Sequence, residues 1–137
     1  MKEGKISDKA FIWAGSLITG TGVILGAMGA HWLRNNISIV DLQSFETGVR
    51  YQLIHGLAIL ILGVLPKSFQ GTMVKFIFHA FWIGVMLFSG SIYLLATREV
   101  TMLHLGWLGP VTPVGGVFLI TGWALLFFTS IRQVKEG

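Results

Sequence analysis

The sequence predicts an all-α protein, a four-helix transmembrane bundle, and three observations carry that prediction. Apolar residues make up 53% of the 137 and charged residues only 12%, against roughly 25% charged residues in a soluble domain. So few charges cannot clothe so small a body in water, and lipid must supply much of its surroundings. The apolar residues gather into four long runs, each approaching or meeting the roughly 20 residues that a helix needs to cross a hydrocarbon core. The runs are continuously apolar rather than alternating, which favours helices over the strands of a membrane barrel. The whole chain, 1–137, reads as one integral membrane domain.

The first span covers about residues 10–33. Lys2, Lys5 and Lys9 precede it in the manner of a secretory signal, and Ala27-Met28-Gly29 would pass as a cleavage site. The run is about 24 residues long, however, where a signal core has roughly 7–15, so it is read as a retained span. The second span, about 51–65, looks short until its start is traced back. Ser38 suits an N-cap and Asp41 resembles the far end of a capping box. Leu42, Phe45, Val49 and Leu53 follow at helical spacing, so one helix runs from about 39 to 65 with an amphipathic first half, and Pro66 ends it. The third span is about 73–96. The fourth is about 113–131, with Thr112 placed to cap it and Pro113 in its first turn.

Lys and Arg bias sets the orientation. Lys2, Lys5, Lys9, Lys67, Lys75, Arg132 and Lys135 fall on one side, and Arg34, Arg50 and Arg98 on the other. For a chain in a bacterial plasma membrane, both termini are therefore expected in the cytoplasm, with the protein multi-pass in that membrane. Trp32 and Trp107 fit an outer aromatic belt. The net charge of +4 forms no basic stripe, so nucleic acid is not an expected partner. The absence of cysteine excludes disulfides, thiolate metal sites and a cysteine nucleophile.

Small residues at a spacing of four, Gly22, Gly26 and Ala30, let helix backbones approach closely. Ser89-Gly90-Ser91 in the third span and Gly115-Gly116 in the fourth read the same way. The two serines have no base beside them in sequence, so they are read as bonding the backbone or a neighbouring helix.

The polar residues concentrate in Phe45-Glu46-Thr47-Gly48-Val49-Arg50-Tyr51-Gln52-Leu53-Ile54-His55. Glu46 and Arg50 are an i, i+4 pair of opposite charge, and Tyr51 and His55 a second i, i+4 pair about 100° around the helix. Arg50 enters an apolar span, where charge is costly and needs a partner or a cavity. His31, at the outer end of the first span, is expected at a depth similar to His55. These five side chains, His31, Glu46, Arg50, Tyr51 and His55, are the candidate ligand-binding residues. No His-x-x-x-His or Glu-x-x-His pattern supports a metal, and no cofactor is expected.

Four motifs in series carry a family resemblance. Gly26-Ala27-Met28-Gly29-Ala30-His31 is similar to "GAFGAH". Residues 45–58, from Phe45 to Ala58, resemble "FETAVRYQMYHALA". Phe88-Ser89-Gly90-Ser91-Ile92-Tyr93 resembles "FSGSLY", and Leu108-Gly109-Pro110-Val111-Thr112-Pro113-Val114-Gly115-Gly116 resembles "LGxITPLGG". On these motifs the chain is identified as a member of the YgdD/YwdK-like family of small bacterial membrane proteins. The resemblance implies the fold and the location, and it supplies no activity.

The leading functional reading is a non-enzymatic protein that binds or passes a small solute, or contacts a lipid head group, at an outer polar site. The alternative is an assembly subunit meeting a second copy or another membrane protein through its small-residue faces. A lipid- or quinone-acting enzyme using Glu46 and His55 ranks below both, because nine residues place them on opposite faces of one helix.

Overall fold

In a hydrocarbon layer each segment must satisfy its own backbone N–H and C=O groups, and long apolar runs do so as helices. A computed structural model describes residues 8–66, 69 and 71–136. Four long helices cross the molecule: α1 (Asp8–His31), α2 (Ile39–Val64), α3 (Thr72–Ala96) and, after the four-residue α4 (Arg98–Thr101), α5 (Val111–Glu136). Single 3₁₀ turns, Leu33–Asn35 and Gly106–Leu108, stand in the two connections at the end remote from both termini, called the far end below. No strand occurs among the described residues, and four helices are long and apolar enough to cross a membrane. Lys2, Lys5 and Lys67 of the charge-bias argument lie outside the described residues.

Local chemistry explains the helix ends. Ser38 is the N-cap of α2, its Oγ accepting from the Asp41 N–H at 3.1 Å, which satisfies one of the otherwise orphaned first-turn donors. At the other end Leu65 is extended, with ψ 147°, as a residue before proline prefers. The α5 helix starts at Val111, so Thr112 lies inside its first turn and is not its cap. Its hydroxyl instead meets that of Ser91 on α3 at 2.6 Å. The segment from Arg98 forms the short α4, which closes with Met102 in the left-handed region at φ 56°.

The helices pack as two hairpins, α1 on α2 and α3 on α5, joined through a face between α2 and α3. In the most apolar stretches of α2 and α3, 44% and 39% of residues are buried, against 28% in that of α1 and 17% in that of α5. The two middle helices therefore form the centre and the outer two face lipid. Phe11, Ile59, Leu62, Ile77 and Phe81 belong to one buried cluster, and Leu33, Leu42, Phe45, Val49 and Ala96 form a second at the far end.

Glycines set how close the two helices of each hairpin come. A Cβ on Gly15 would stand 2.9 Å from the Gly56 carbonyl oxygen, and one on Gly115 would stand 2.8 Å from Phe88 Cα. At both places backbone meets backbone, which no larger residue allows. Gly22 faces Leu53 and Gly26 faces Val49, but Ala30 is exposed and Gly29 takes the next contact, against Phe45. The contact face thus runs 15, 22, 26, 29, because a strict spacing of four drifts by about 40° per step on a helix of 3.6 residues per turn.

A bidentate ion pair ties the far end together. The Arg98 guanidinium donates from Nη1 to Asp41 Oδ1 at 2.8 Å and from Nη2 to Asp41 Oδ2 at 3.1 Å. Asp41 is buried, and Ser38 Oγ donates to its Oδ2 at 2.9 Å. Such a fork fixes geometry as well as adding energy, and here it joins the start of α2 to the residues just past α3.

Candidate functional site

Polar side chains inside an apolar bundle must find partners or line a cavity. Gln52, at the middle of α2 and 6% exposed, finds partners on both neighbouring helices. Its Nε2 donates to the Ile18 carbonyl and to Thr21 Oγ1, each at 2.9 Å. Its Oε1 accepts from the Tyr93 hydroxyl at 2.7 Å. One side chain therefore fastens α1, α2 and α3. Ser89 Oγ, one turn before Tyr93 on α3, donates to the Gly48 carbonyl of α2 at 2.7 Å, where the close approach is set by Gly48 lying under the Tyr93 ring.

Beside this network lies a cleft of ≈ 380 Å³ between α1 and α3, floored by α2. Leu17, Leu25, Trp82, Val85 and Met86 supply apolar walls, and Thr21, Gln52, Ser89 and Tyr93 the polar atoms. Those polar atoms already bond one another or the backbone: Thr21 Oγ1 donates to the Leu17 carbonyl at 2.7 Å. Gly90 also lines the cleft, and a Cβ placed on it would meet nothing within 4 Å.

A second cleft, ≈ 520 Å³, opens between α2 and α5 and is lined by Tyr51, Ile54, His55, Phe88, Leu119 and Trp123 among others. His55 is buried and uses both ring nitrogens. The Trp123 indole N–H donates to His55 Nε2 at 3.0 Å. An indole only donates, so Nδ1 carries the proton and donates to the Tyr51 carbonyl at 2.7 Å. The Tyr51 ring stacks on the imidazole with centroids 5.9 Å apart. His55 is thereby a neutral, fully partnered link between α2 and α5, with no lone pair free for a metal.

Of the five candidate residues the structure brings together Tyr51 and His55. His31, Glu46 and Arg50 are all exposed. Glu46 and Arg50 do not meet as an ion pair, and His31 contributes its carbonyl to Asn35 Nδ2 at 3.4 Å. Glu46 is exposed where His55 is buried, so the pair shares no common space. Sequence reasoning assigned no tertiary role to Gln52, Tyr93, Trp123, Asp41 or Arg98. The amide of Gln52, set between Tyr51 and Leu53 in an apolar span, was the available signal, because such groups turn toward the bundle interior.

Gln52→Leu should cost about 1–2 kcal/mol, since it orphans the Tyr93 hydroxyl, while Tyr93→Phe should cost about 0.6 kcal/mol, in the range of single interhelical hydrogen bonds. Denaturation in mixed micelles compares the two. Equal losses would mean that Gln52 does not join three helices.

Comparison with known proteins places the chain. Residues 25–116 match a family model described as "Protein of unknown function (DUF423)". The UPF0382 membrane protein SH2409 of Staphylococcus haemolyticus is 37% identical, over 92% of this chain and 98% of its own length. The UPF0382 membrane protein YwdK of Bacillus subtilis is 33% identical over 92% and 99%. The UPF0382 inner membrane protein YgdD of Escherichia coli K12 is 39% identical over 84% of each chain. No solved structure matches.

Proposed function

The chain belongs to the DUF423 family of multi-pass membrane proteins, and from that premise we propose that it binds a membrane lipid sideways, without catalysing a reaction on it. The acyl chain occupies the cleft between α1 and α3, and the head group lies at the far end, near His31. The observation that carries this reading is the cleft itself: ≈ 380 Å³ of space, apolar-walled, with Gly90 leaving it open. Its polar atoms are spent on one another, so an incoming chain displaces none of their hydrogen bonds. His31 lies six residues beyond Leu25 on α1, about 9 Å further at 1.5 Å per residue, which suits head-group depth. Passage of a small solute has less support, because the polar groups at the middle of the bundle bond one another rather than line a wet path.

Gly90→Leu tests the reading, since it fills the cleft from a position whose Cβ touches nothing. Proteoliposomes carrying a phospholipid with a photoactivatable acyl chain should label peptides of α1 and α3, and Gly90→Leu should remove most of that labelling. Gly20→Leu, on open lipid-facing surface, should leave it unchanged. Uniform labelling of every lipid-facing helix, or labelling that survives Gly90→Leu, would reject the cleft as a site.

A further inference from the structure

The exposed face of α2 carries charge where an apolar surface is expected. Gln43, Glu46 and Arg50 are exposed and Thr47 half-buried, and the four lie on one stripe of the helix at i, i+3, i+4 and i+7. Lower on the same stripe Ile54, Leu57 and Ile61 are exposed too, as lipid contact requires. We take Asp41, bound to Arg98 just past the last apolar turn of α3, as the far-end edge of the apolar layer. At 1.5 Å per residue Glu46 lies about 7.5 Å and Arg50 about 13.5 Å beneath that level. Each is thus a charge inside the lipid layer, and no ion pair or side-chain hydrogen bond joins either to the described residues. Charges at such depth face a bundle interior or a partner. Neither α1 nor α5 covers them.

We propose that this face of α2 is where two copies of the chain meet, with Glu46 of each copy paired to Arg50 of the other. Two copies inserted the same way are related by an axis along the membrane normal, so their α2 helices run parallel and equal residue numbers sit at equal depth. Glu46 then faces the second copy one turn above that copy's Arg50. A long helical side chain leans toward its helix N-terminus, which here is upward, and so carries the guanidinium toward the level of Glu46. The stripe is self-complementary: one copy supplies each sign, and the two-fold axis makes the pairing twice. The apolar residues below it continue the contact. None of these residues lines the cleft between α1 and α3, so this contact stands or falls independently of lipid binding there.

The chain has no cysteine, which makes single-cysteine crosslinking in membranes direct. With Gln43→Cys as reporter, oxidation should give a covalent dimer of the chain, whereas Ile120→Cys on the outer face of α5 should not. Adding Glu46→Arg or Arg50→Glu alone should lower the dimer yield about tenfold, by setting like charges together across the contact. Co-expression of a Glu46→Arg chain with an Arg50→Glu chain should restore it, because each then supplies the charge the other lacks. A single variant that accumulates only when co-expressed with its complement supports the same pairing. The proposal fails if the reporter gives no dimer, if it crosslinks to a different protein, or if co-expression does not restore what the single variants lose. That last result would mean that the two charges do not pair across the contact.

Discussion

Gly115→Val should force α3 and α5 apart and destabilise the bundle by about 3 kcal/mol, the upper range for overpacking a filled interface. A Cβ at this position would stand 2.8 Å from Phe88 Cα and 2.9 Å from the Leu87 carbonyl carbon. Both obstacles are backbone, which cannot turn aside as a flexible side-chain end does. The next residue provides the control. A Cβ on Gly116 meets only the Phe88 ring, at 3.8 Å, an ordinary contact, so Gly116→Ala should be neutral or stabilising by up to about 1 kcal/mol through helix propensity. Denaturation in mixed micelles separates adjacent glycines that look alike in sequence. Equal losses at 115 and 116 would contradict the close approach of α3 and α5.

Arg98→Ala should cost about 2 kcal/mol by leaving the Asp41 carboxylate buried with only Ser38 beside it. The figure is lower than the roughly 3–5 kcal/mol for breaking a wholly buried pair, because the Arg98 side chain is 49% exposed and water screens it. The penalty comes from the stranded charge more than from the lost attraction. Adding Asp41→Asn to Arg98→Ala should therefore recover much of the loss, since the charge has gone while Asn can still accept from Ser38. Melting of the purified variants in detergent measures both effects. If the double variant is as unstable as the sum of the singles, the ion pair is not what holds the far end.

The candidate site was legible only in part. The cluster between Phe45 and His55 was visible as polar residues in an apolar setting, and the structure does use that segment. It uses it, however, through Gln52 and His55, while Glu46 and Arg50 point outward. A helical repeat says which residues share a face and does not say which face turns inward. Tyr93 and Trp123 were invisible as partners because they lie 41 and 68 residues from Gln52 and His55, and local patterns carry no record of such distant meetings. Asp41 showed only its local role at the start of α2. Its larger role needs Arg98, 57 residues away.

From the sequence alone came the four apolar helices, the Ser38 cap, the stop before Pro66 and the membrane setting. All of these depend on interactions within a few residues or on transfer of the chain from water to lipid, and such effects sum along the chain. Which helices are central, which glycine of a pair touches backbone, which polar groups satisfy one another and which charges stay without partners were decided only in the tertiary structure. Each depends on how one helix is rotated against another, and lipid, equally apolar on every side, gives no single helix a preferred rotation. The bundle sets it through close backbone contacts at Gly15, Gly56 and Gly115, the Gln52 network and the Asp41–Arg98 pair.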